Sequence, residues 1–347
     1  MEPLPVDVAF LQEFEQGLNP SKPEQSKIPA QVLGYGEIST VFSIDAGDGQ
    51  LAYKRIPSFK NMAEATDYVT LYNDCMAVFA EIGLDMVPGK MVAFAGVNGR
   101  YTVIYLVQKK LDPLTIANKA IHQLDAAQAI ALITGIFDEF DKVFAFNAQN
   151  QGKIEVGFDG QLSNWAVTEF AAENGNLPEP LNLVYFDTSS PLLRRNGVEQ
   201  LDAEIFLRNA PSFLAWLLRV FYLDEVVTRY YDLRKVTIDL LANLYKEQKA
   251  ELVPDLLKIA NERWAHFDKL SDRDFDKLSD PTFDKLSDRN KLSKPDFPPI
   301  TLQEIESYYR EDAFIWRFYL SARRFDRWLH HLLRKPYPYI LPGNIKR

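Results

Sequence analysis

A glycine-containing segment is the first of four places in the chain whose residue types suit one chemistry, the transfer of a phosphoryl group. It reads Gly34-Tyr-Gly36-Glu-Ile-Ser39-Thr-Val41 and stands between two strand-like stretches. Glycines permit a tight turn whose backbone N–H groups point at phosphate oxygens. Glycine pairs are also common in ordinary hairpins, so this segment alone leaves both interpretations open.

Lys54 is the second place. It lies in Leu51-Ala52-Tyr53-Lys54, twenty residues after Gly34 and in the middle of a predicted strand. The stem of a lysine at this position follows the face of the sheet, and its ammonium group can neutralise phosphate oxygens. The alternative is a solvent-facing lysine on a surface strand.

Carboxylate and amide side chains form the other two places. Asp159 and Asn164 are five residues apart in Asp159-Gly-Gln-Leu-Ser-Asn164, and Asp187 ends the apolar stretch Leu183–Phe186. In phosphoryl transfer one carboxylate accepts the proton of the acceptor hydroxyl, while an amide oxygen and a second carboxylate hold Mg²⁺. A carboxylate is costly to bury unless a cation meets it, which favours a metal beside Asp187. The competing interpretations are an Asx-rich turn at 159–164 and a capping aspartate at 187.

The elements that must position the glycines and the lysine come from the first 110 residues. Alternating apolar and β-branched residues predict strands at Gln31–Leu33, Thr40–Ile44, Leu51–Ile56, Lys90–Ala95 and Tyr101–Val107. Helical spacing predicts one helix over Asn61–Ile82, which Gly83 ends. Before the strands, the proline-containing stretch 1–27 is expected to hold a short helix near Val8–Leu18.

The acidic residues follow in a part of the chain whose pattern is mainly helical. Asp125 is placed to cap a long helix, and short strands are predicted at Ile154–Phe158, Trp165–Phe170 and Leu183–Phe186. Further helices are expected at roughly 200–222, 225–247, 253–266 and 302–334. The last of these begins with the capping-box pattern Thr301-x-x-Glu304.

An internal repeat interrupts this helical part. The sequence Phe-Asp-Lys-Leu-Ser-Asp begins at Phe267, Phe275 and Phe283, a period of eight residues. Units of eight residues in this number cannot stack into a solenoid. We therefore expect an exposed, disordered insertion over 267–297, with a docking segment as the alternative.

The order of the four places resembles the protein-kinase-like superfamily. The short loop from Asp159 to Asn164 is most similar to that of aminoglycoside- and choline-kinase-like phosphotransferases. The resemblance implies an α+β, two-lobed fold: an antiparallel-sheet N-lobe with one helix over 28–110, and a mainly helical C-lobe over 111–347, preceded by an N-terminal extension, 1–27. It implies ATP and Mg²⁺ as cofactors and a hydroxyl of an unidentified small molecule or protein as the phosphoryl acceptor.

The resemblance also assigns roles to residues. It assigns contacts with the nucleotide to the glycine loop, the lysine strand and the hinge: Gly34, Gly36, Ser39, Val41, Ala52, Lys54 and Gln108. Asp159 and Asn164 correspond to the catalytic loop, and Asn164 and Asp187 to the metal ligands. The acidic partner of Lys54 is expected on the helix 61–82, where Asp74 and Glu64 are both candidates.

Three departures from the superfamily pattern keep a second function open. Ser39 replaces the third glycine, Gly157 replaces the histidine two residues before Asp159, and Thr188-Ser189 replaces the Phe-Gly that follows the metal aspartate. These changes retain the charged groups of phosphoryl transfer but remove its usual scaffolding. The alternatives are therefore a pseudokinase that binds a nucleotide or partner without catalysis, and transfer of another part of the nucleotide, such as AMP.

Composition limits the partners and the compartment. The net charge of −9 disfavours nucleic acid, and a single cysteine, Cys75, with no visible signal peptide favours the cytoplasm. The most apolar run, Phe213–Leu223, is too short to span a bilayer, so we expect no membrane partner. The stretch from Arg317 to Arg347 is locally basic, which is typical of a solvated helix face or of a surface for an anionic substrate or partner.

Overall fold

A five-stranded antiparallel sheet forms the base of an α+β fold in the computed structural model, which describes residues 4–36, 38–99, 101–171, 175–208, 227–265, 297–333, 335 and 337–342. The strand order in this sheet is β1-β2-β3-β5-β4. Its strands are β1 (Ala30–Tyr35), β2 (Thr40–Ile44), β3 (Leu51–Phe59), β4 (Gly89–Ala95) and β5 (Thr102–Lys109).

Smaller sheets lie further along the chain. One has the order β10-β9-β6 and the other is the pair β7-β8. Their strands are β6 (Ile154–Val156), β7 (Trp165–Val167), β8 (Leu183–Tyr185), β9 (Leu193–Arg195) and β10 (Val198–Glu199).

Helices make up most of the rest of the described chain. They are α1 (Val8–Gly17), α2 (Met62–Ile82), α3 (Ala117–Ala120), α4 (Ala126–Gln149), α5 (Glu204–Leu207), α6 (Leu233–Lys246), α7 (Val253–Trp264) and α8 (Leu302–Leu332). No helix among the described residues is long and apolar enough to cross a membrane.

The interior strand β5 shows why the sheet is covered on both faces. Its side chains alternate between two clusters, and both sets are fully buried. Val103, Tyr105 and Val107 pack with α1, whereas Ile104 and Leu106 pack with α2. Successive side chains of a strand point to opposite faces, so a strand that is apolar at every position needs a layer on each side.

The sequence predicted the strands of the large sheet and the helix α2 correctly, with ends shifted by up to three residues. Thr40–Ile44 has the predicted bounds, and the β3 strand runs to Phe59 instead of Ile56. Gly83 ends α2 with a φ of 78°, a conformation that a residue without Cβ adopts at little cost. Asp125 accepts a hydrogen bond from the Gln128 backbone N–H, and the capping box at Thr301 is present.

The expectation of one helix against the sheet was incomplete, because α1 covers the second face. Leu11 and Phe14 of α1 are fully buried in the cluster that contains Tyr105. Between them and the sheet lies a buried ion pair, in which Arg55 of β3 donates from Nε and Nη2 to the two carboxylate oxygens of Glu15 at 2.8 and 2.7 Å. The region before residue 28 is therefore part of the packed fold.

Two further predicted segments lie largely outside the described residues. Residues 209–226, most of the predicted helix 200–222, lie outside them, and the short helix α5 is what the structure describes of that region. Residues 267–296 of the repeat also lie outside. The predicted end of the insertion at 297 was wrong, since Phe297 is buried and packs against Trp264 with ring centroids 5.8 Å apart.

Candidate functional site

A cavity of about 340 Å³ lies where the glycine turn, strand β3 and the two acidic segments meet. Six of the predicted site residues line it: Gly36, Ser39, Lys54, Asp159, Asn164 and Asp187. The other four, Gly34, Val41, Ala52 and Gln108, are not among its lining residues. Residues that are more than 130 positions apart in the sequence thus share one space.

Pairing of two short strands brings the acidic segments together. Trp165 of β7 faces Tyr185 of β8, so the residues just outside the pair, Asn164 and Phe186, are also adjacent. The Phe186 backbone N–H donates to the Asn164 carbonyl at 3.0 Å. The Asn164 side-chain amide donates to the Asp159 carbonyl at 3.1 Å, which fixes its orientation in the loop.

Lys54 pairs with Asp187 rather than with a carboxylate of α2. Its Nζ lies 2.6 Å from Asp187 Oδ1, and the Ser189 hydroxyl donates to the same oxygen at 3.0 Å. Burial opposes ionisation of Asp187, but the charge of Lys54 and these hydrogen bonds outweigh it and lower the pKa of Asp187.

Both predicted partners of Lys54 were therefore wrong. Asp74 pairs with Arg195 at 3.0 Å, and Glu64 pairs with Arg208. The face of α2 that points toward the Asp187 segment instead contributes Tyr68, whose buried hydroxyl donates to the Ser189 carbonyl at 2.6 Å. Because α2 contributes a neutral hydroxyl here, the ammonium group of Lys54 forms its ion pair with the carboxylate of Asp187.

The glycine segment forms a tight turn between β1 and β2. The Gly36 backbone N–H donates to the Ser39 carbonyl at 3.0 Å, and a Cβ on Gly36 would lie 2.4 Å from Ser39 Oγ. A side chain at position 36 would therefore force the Ser39 hydroxyl to move. A Cβ at Gly34 would meet nothing within 4 Å, so that glycine has no such constraint.

Gln108 connects the sheet to the metal-ligand segment predicted from the sequence. It pairs with Ala52 across β5 and β3, and its side-chain amide donates to the Phe186 carbonyl at 3.1 Å. The buried Gln108 side chain therefore supports the residue before Asp187. This is a structural role in addition to the predicted hinge position.

Asp159 lies in a strongly acidic environment that the sequence did not reveal. Burial, followed by the negative charges of Asp239 and Asp187, raises the pKa of Asp159 to about 8. Asp239 of α6 accepts hydrogen bonds from Arg229 at 2.9 Å and from the Gln161 side chain at 3.2 Å. Burial and these carboxylates therefore favour the protonated form of Asp159.

The two helices α6 and α8 also line the cavity. They contribute Asn243 and Lys246 of α6 and Asp312 and Trp316 of α8. Sequence reasoning missed these residues because helical spacing alone does not show which face meets a distant loop. Asp239 carried a weak signal, since it is an acidic residue within the apolar stretch of α6.

A family model described as a family of unknown function, DUF6206, matches residues 18–318. The match spans every residue that lines the cavity. The chain belongs to the DUF6206 family. Comparison with curated proteins gives no match.

The residues of this DUF6206 protein fit a nucleotide-bound Mg²⁺ better than a metal held by the protein alone. The described residues contain no group of three or more His, Cys, Asp or Glu side chains arranged to hold a metal ion. Mg²⁺ commonly takes one or two carboxylates from the protein and the remaining ligands from phosphates and water. Asp187 and Asn164 together offer a ligand set of this reduced kind.

Gly157, at the position where the superfamily pattern has a histidine, leaves no room for a side chain in this DUF6206 protein. A Cβ on Gly157 would lie 2.6 Å from Leu192 Cβ, and the Gly157 backbone N–H donates to the Leu192 carbonyl at 2.9 Å. The next residue, Phe158, is fully buried among aromatic rings. Aromatic packing and a backbone hydrogen bond therefore hold the loop before Asp159.

Replacing Gly157 with alanine should lower the free energy of unfolding by about 1–3 kcal/mol, because the added methyl group overpacks this contact. Chemical denaturation of the DUF6206 protein and its variants measures the change. Gly49→Ala is the control, since a Cβ at Gly49 meets nothing within 4 Å. Equal stability of the two variants would show that Leu192 moves away without cost.

Proposed function

We propose that this protein is an ATP- and Mg²⁺-dependent phosphotransferase with a protein-kinase-like, two-lobed fold, which transfers the γ-phosphoryl group to a hydroxyl of an acceptor. The observation that carries the proposal is the cavity where Lys54, Asp159, Asn164 and Asp187 converge from three separate segments. One cation, two carboxylates and one amide are the groups that phosphoryl transfer requires.

Lys54, Asn164 and Asp187 would hold the phosphates and the metal ion. Mg²⁺, when bound, neutralises the charge that develops on the transferred phosphoryl group. Asp187 and Asn164 supply oxygen ligands, and the hydrogen bond from Asn164 to the Asp159 carbonyl keeps its amide in place. Lys54 is already beside Asp187, so its ammonium group can contact phosphate oxygens next to the metal site.

Asp159 would act as the general base toward the acceptor hydroxyl. Its raised pKa of about 8 results from burial and from the neighbouring carboxylates of Asp239 and Asp187. A cation held by Asp187 would offset part of this negative field and lower the pKa of Asp159, which favours the form that accepts a proton. The base would therefore become active when the nucleotide and its metal are bound.

The nucleotide would lie under the turn from Gly34 to Ser39. Gly36 and Ser39 line the cavity, and their mutual hydrogen bond shapes the turn. Val41 of β2 pairs with Lys54, and Ala52 of the lysine strand β3 pairs with Gln108 of β5, so the adenine would meet this part of the sheet. This part of the proposal rests on strand positions, since those three residues do not line the cavity.

One observation favours a second candidate, a pseudokinase that binds a nucleotide or a partner without catalysis. Lys54 is neutralised by Asp187 itself, and α2 supplies the hydroxyl of Tyr68 in place of a carboxylate. Binding of a metal at Asp187 then competes with Lys54. A site of this kind can retain the nucleotide while chemistry is slow.

ATP with Mg²⁺ should stabilise the protein against heat, and Lys54→Ala and Asp187→Ala should each remove that stabilisation. A ligand that binds only the folded state contributes about 2.7 kcal/mol at a hundredfold excess over its Kd. Thermal unfolding with ATP, with and without Mg²⁺, measures the effect. Lys119→Ala, a change at an exposed lysine, should leave it unaltered.

The outcomes of this experiment separate the two candidates. Mg²⁺-dependent stabilisation followed by release of ADP supports the phosphotransferase. Stabilisation without turnover over a panel of hydroxyl acceptors, including water, supports the pseudokinase. No stabilisation of the unmodified protein contradicts the phosphotransferase and the nucleotide-binding pseudokinase, and leaves a pseudokinase that binds only a partner.

A further inference from the structure

Helix α8 exposes a line of large apolar side chains along its outer face. Phe314, Phe318, Phe325, Trp328 and Leu332 have between 45% and 68% of their surface exposed. Their spacing of four, seven, three and four residues places them on one line of an α-helix. The opposite face contains the buried Leu320 and Arg323, so the line points away from the protein body.

A row of cationic residues runs beside this apolar line. Arg310, Arg317 and Arg324 form this cationic row and recur every seven residues, and His331 stands at the next position of the same spacing. Arg317, Arg324 and His331 each directly precede a member of the line. Lys335 continues the row beyond the helix. The locally basic stretch found in the sequence is thus organised as one edge of an aromatic surface.

We propose that this face of α8, the apolar line with its cationic row, docks on an anionic membrane surface. Helices that lie in the plane of a bilayer interface combine Trp, Phe and Leu on one side with Lys and Arg on the other. Trp and aromatic side chains favour the headgroup region, and arginines beside them attract anionic lipids. Docking of this kind needs no spanning segment, so the lack of a spanning helix among the described residues does not oppose it.

The overall charge of the protein does not prevent this docking. The net charge of −9 is distributed over the whole chain, whereas the cationic row lies on one helix face. At physiological salt, charges further apart than about 8 Å are largely screened. Carboxylates on other faces therefore act weakly on lipids that contact α8.

A second protein helix suits this surface less well than lipid does. The seams of paired helices prefer Leu, Ile and Val, whereas this line contains three phenylalanines and one tryptophan. In an antiparallel pair of copies, the rows that contain Arg317 and Arg324 would face each other and repel. An anionic bilayer satisfies both the aromatic side chains and the cations.

Docking would bring the candidate site close to the bilayer. Asp312 and Trp316 of α8 line the cavity, and Phe314 lies between them in the sequence on the outer face. One helix therefore connects the cavity wall to the proposed docking face. This connection does not depend on the reaction that the cavity supports.

Sedimentation of the full chain with lipid vesicles tests the proposal. The protein should bind vesicles that contain equal parts of phosphatidylcholine and phosphatidylserine, and should bind pure phosphatidylcholine much more weakly. Phe325→Ser and Trp328→Ser should each lower binding about tenfold, since each removes a large apolar group from the interface. Arg317→Glu with His331→Glu should lower it as well, and added salt should weaken binding of the unmodified protein.

The control variant is Val198→Ser, because Val198 is also an exposed apolar residue, at 61%, but lies on β10. Equal binding of all variants, or no binding to anionic vesicles, overturns the proposal. So does concentration-dependent dimerisation that Trp328→Ser abolishes, which identifies a second copy as the occupant. Binding to soluble polyglutamate but not to vesicles would identify an acidic protein instead. A lowered melting temperature for both serine variants would show that the chain itself covers the line.

Discussion

Replacing Arg55 with methionine should lower the free energy of unfolding by about 3–5 kcal/mol, the cost of leaving a buried carboxylate without its cation. Glu15 is fully buried and accepts four hydrogen bonds, two from Arg55 and one each from Tyr101 and Tyr105 at 2.6 Å. Arg55 also donates to the Pro338 carbonyl at 2.9 Å. The ion pair therefore joins α1, the sheet and the C-terminal segment at one point.

The control for Arg55→Met is an exposed ion pair whose carboxylate, like that of Glu15, lies on α1. Lys27 and Glu13 approach to 2.8 Å, but their side chains are 68% and 57% exposed. Lys27→Met should change the free energy of unfolding by less than about 1 kcal/mol. Urea denaturation compares the two variants, and a similar small loss in both would show that the Glu15 site relaxes or admits water.

The pH dependence of the same pair can be derived from the pKa of Glu15. Burial alone would raise the pKa of Glu15, but Arg55 and the two tyrosine hydroxyls together lower it below 4.5. The stabilisation is therefore complete above the unfolded pKa and is lost as the pH falls through the folded one. In Arg55→Met the buried carboxyl is easier to protonate, so the difference from the unmodified protein should shrink below about pH 4.5.

Local sequence patterns predicted the elements around the candidate site well. Apolar residues alternate along β2 and recur at helical spacing along α2, because each element is apolar on the face that packs against its neighbour. Such a pattern is visible within a short stretch of sequence. The caps at Asp125 and Thr301 depend on residues three positions apart. Each of these predictions needed no knowledge of distant parts of the chain.

The partners of charged residues could not be predicted in the same way. Lys54 and Asp187 are 133 residues apart, and Glu15 and Arg55 are 40 apart. Which carboxylate reaches Lys54 depends on the rotation of α2 about its axis, and Tyr68 rather than Glu64 faces the Asp187 segment. Long side chains with several possible partners carry no periodic signal that a window of sequence can reveal.

The same difficulty applies to the environment of Asp159. Its loop was found from the spacing to Asn164, but Asp239 and Arg229 approach it from a later part of the chain. The sequence could therefore suggest a base without indicating its protonation state. The excess of negative charge around Asp159 follows only from the fold.

The negative charge around Asp159 makes its ionised carboxylate destabilising. Replacing Asp159 with a neutral residue should therefore raise the free energy of unfolding at high pH. The pKa of Asp159 is raised from 3.8 to about 8. The stability that its protonated carboxyl contributes is therefore fully present below pH 3.8 and is lost as the pH rises to about 8. Asp159→Asn has no charge to lose. The free energy of unfolding of the variant, relative to that of the unmodified protein, should therefore increase through this pH range, by on the order of 1–3 kcal/mol at pH 8.5.

The same substitution should slow phosphoryl transfer by about 10²–10⁴-fold, the usual contribution of a general base. Asn cannot accept the proton, but it retains the shape of Asp159, so stabilisation by ATP and Mg²⁺ should remain. Thermal unfolding at pH 5 and pH 8.5, with and without the nucleotide, and release of ADP measure these effects. Asp67→Asn, at an exposed position on α2, is the matched control and should change none of them.

Opposite changes in stability and turnover are what distinguish a functional carboxylate from a structural one. A carboxylate that holds the loop together would lose stability when it becomes an amide, and the loss would be greatest at high pH. A carboxylate kept in a repulsive field for proton transfer gains stability and loses turnover. If Asp159→Asn kept full turnover, the base would have to be another group, and the positions of Asp239 and Asp187 beside it would direct the search.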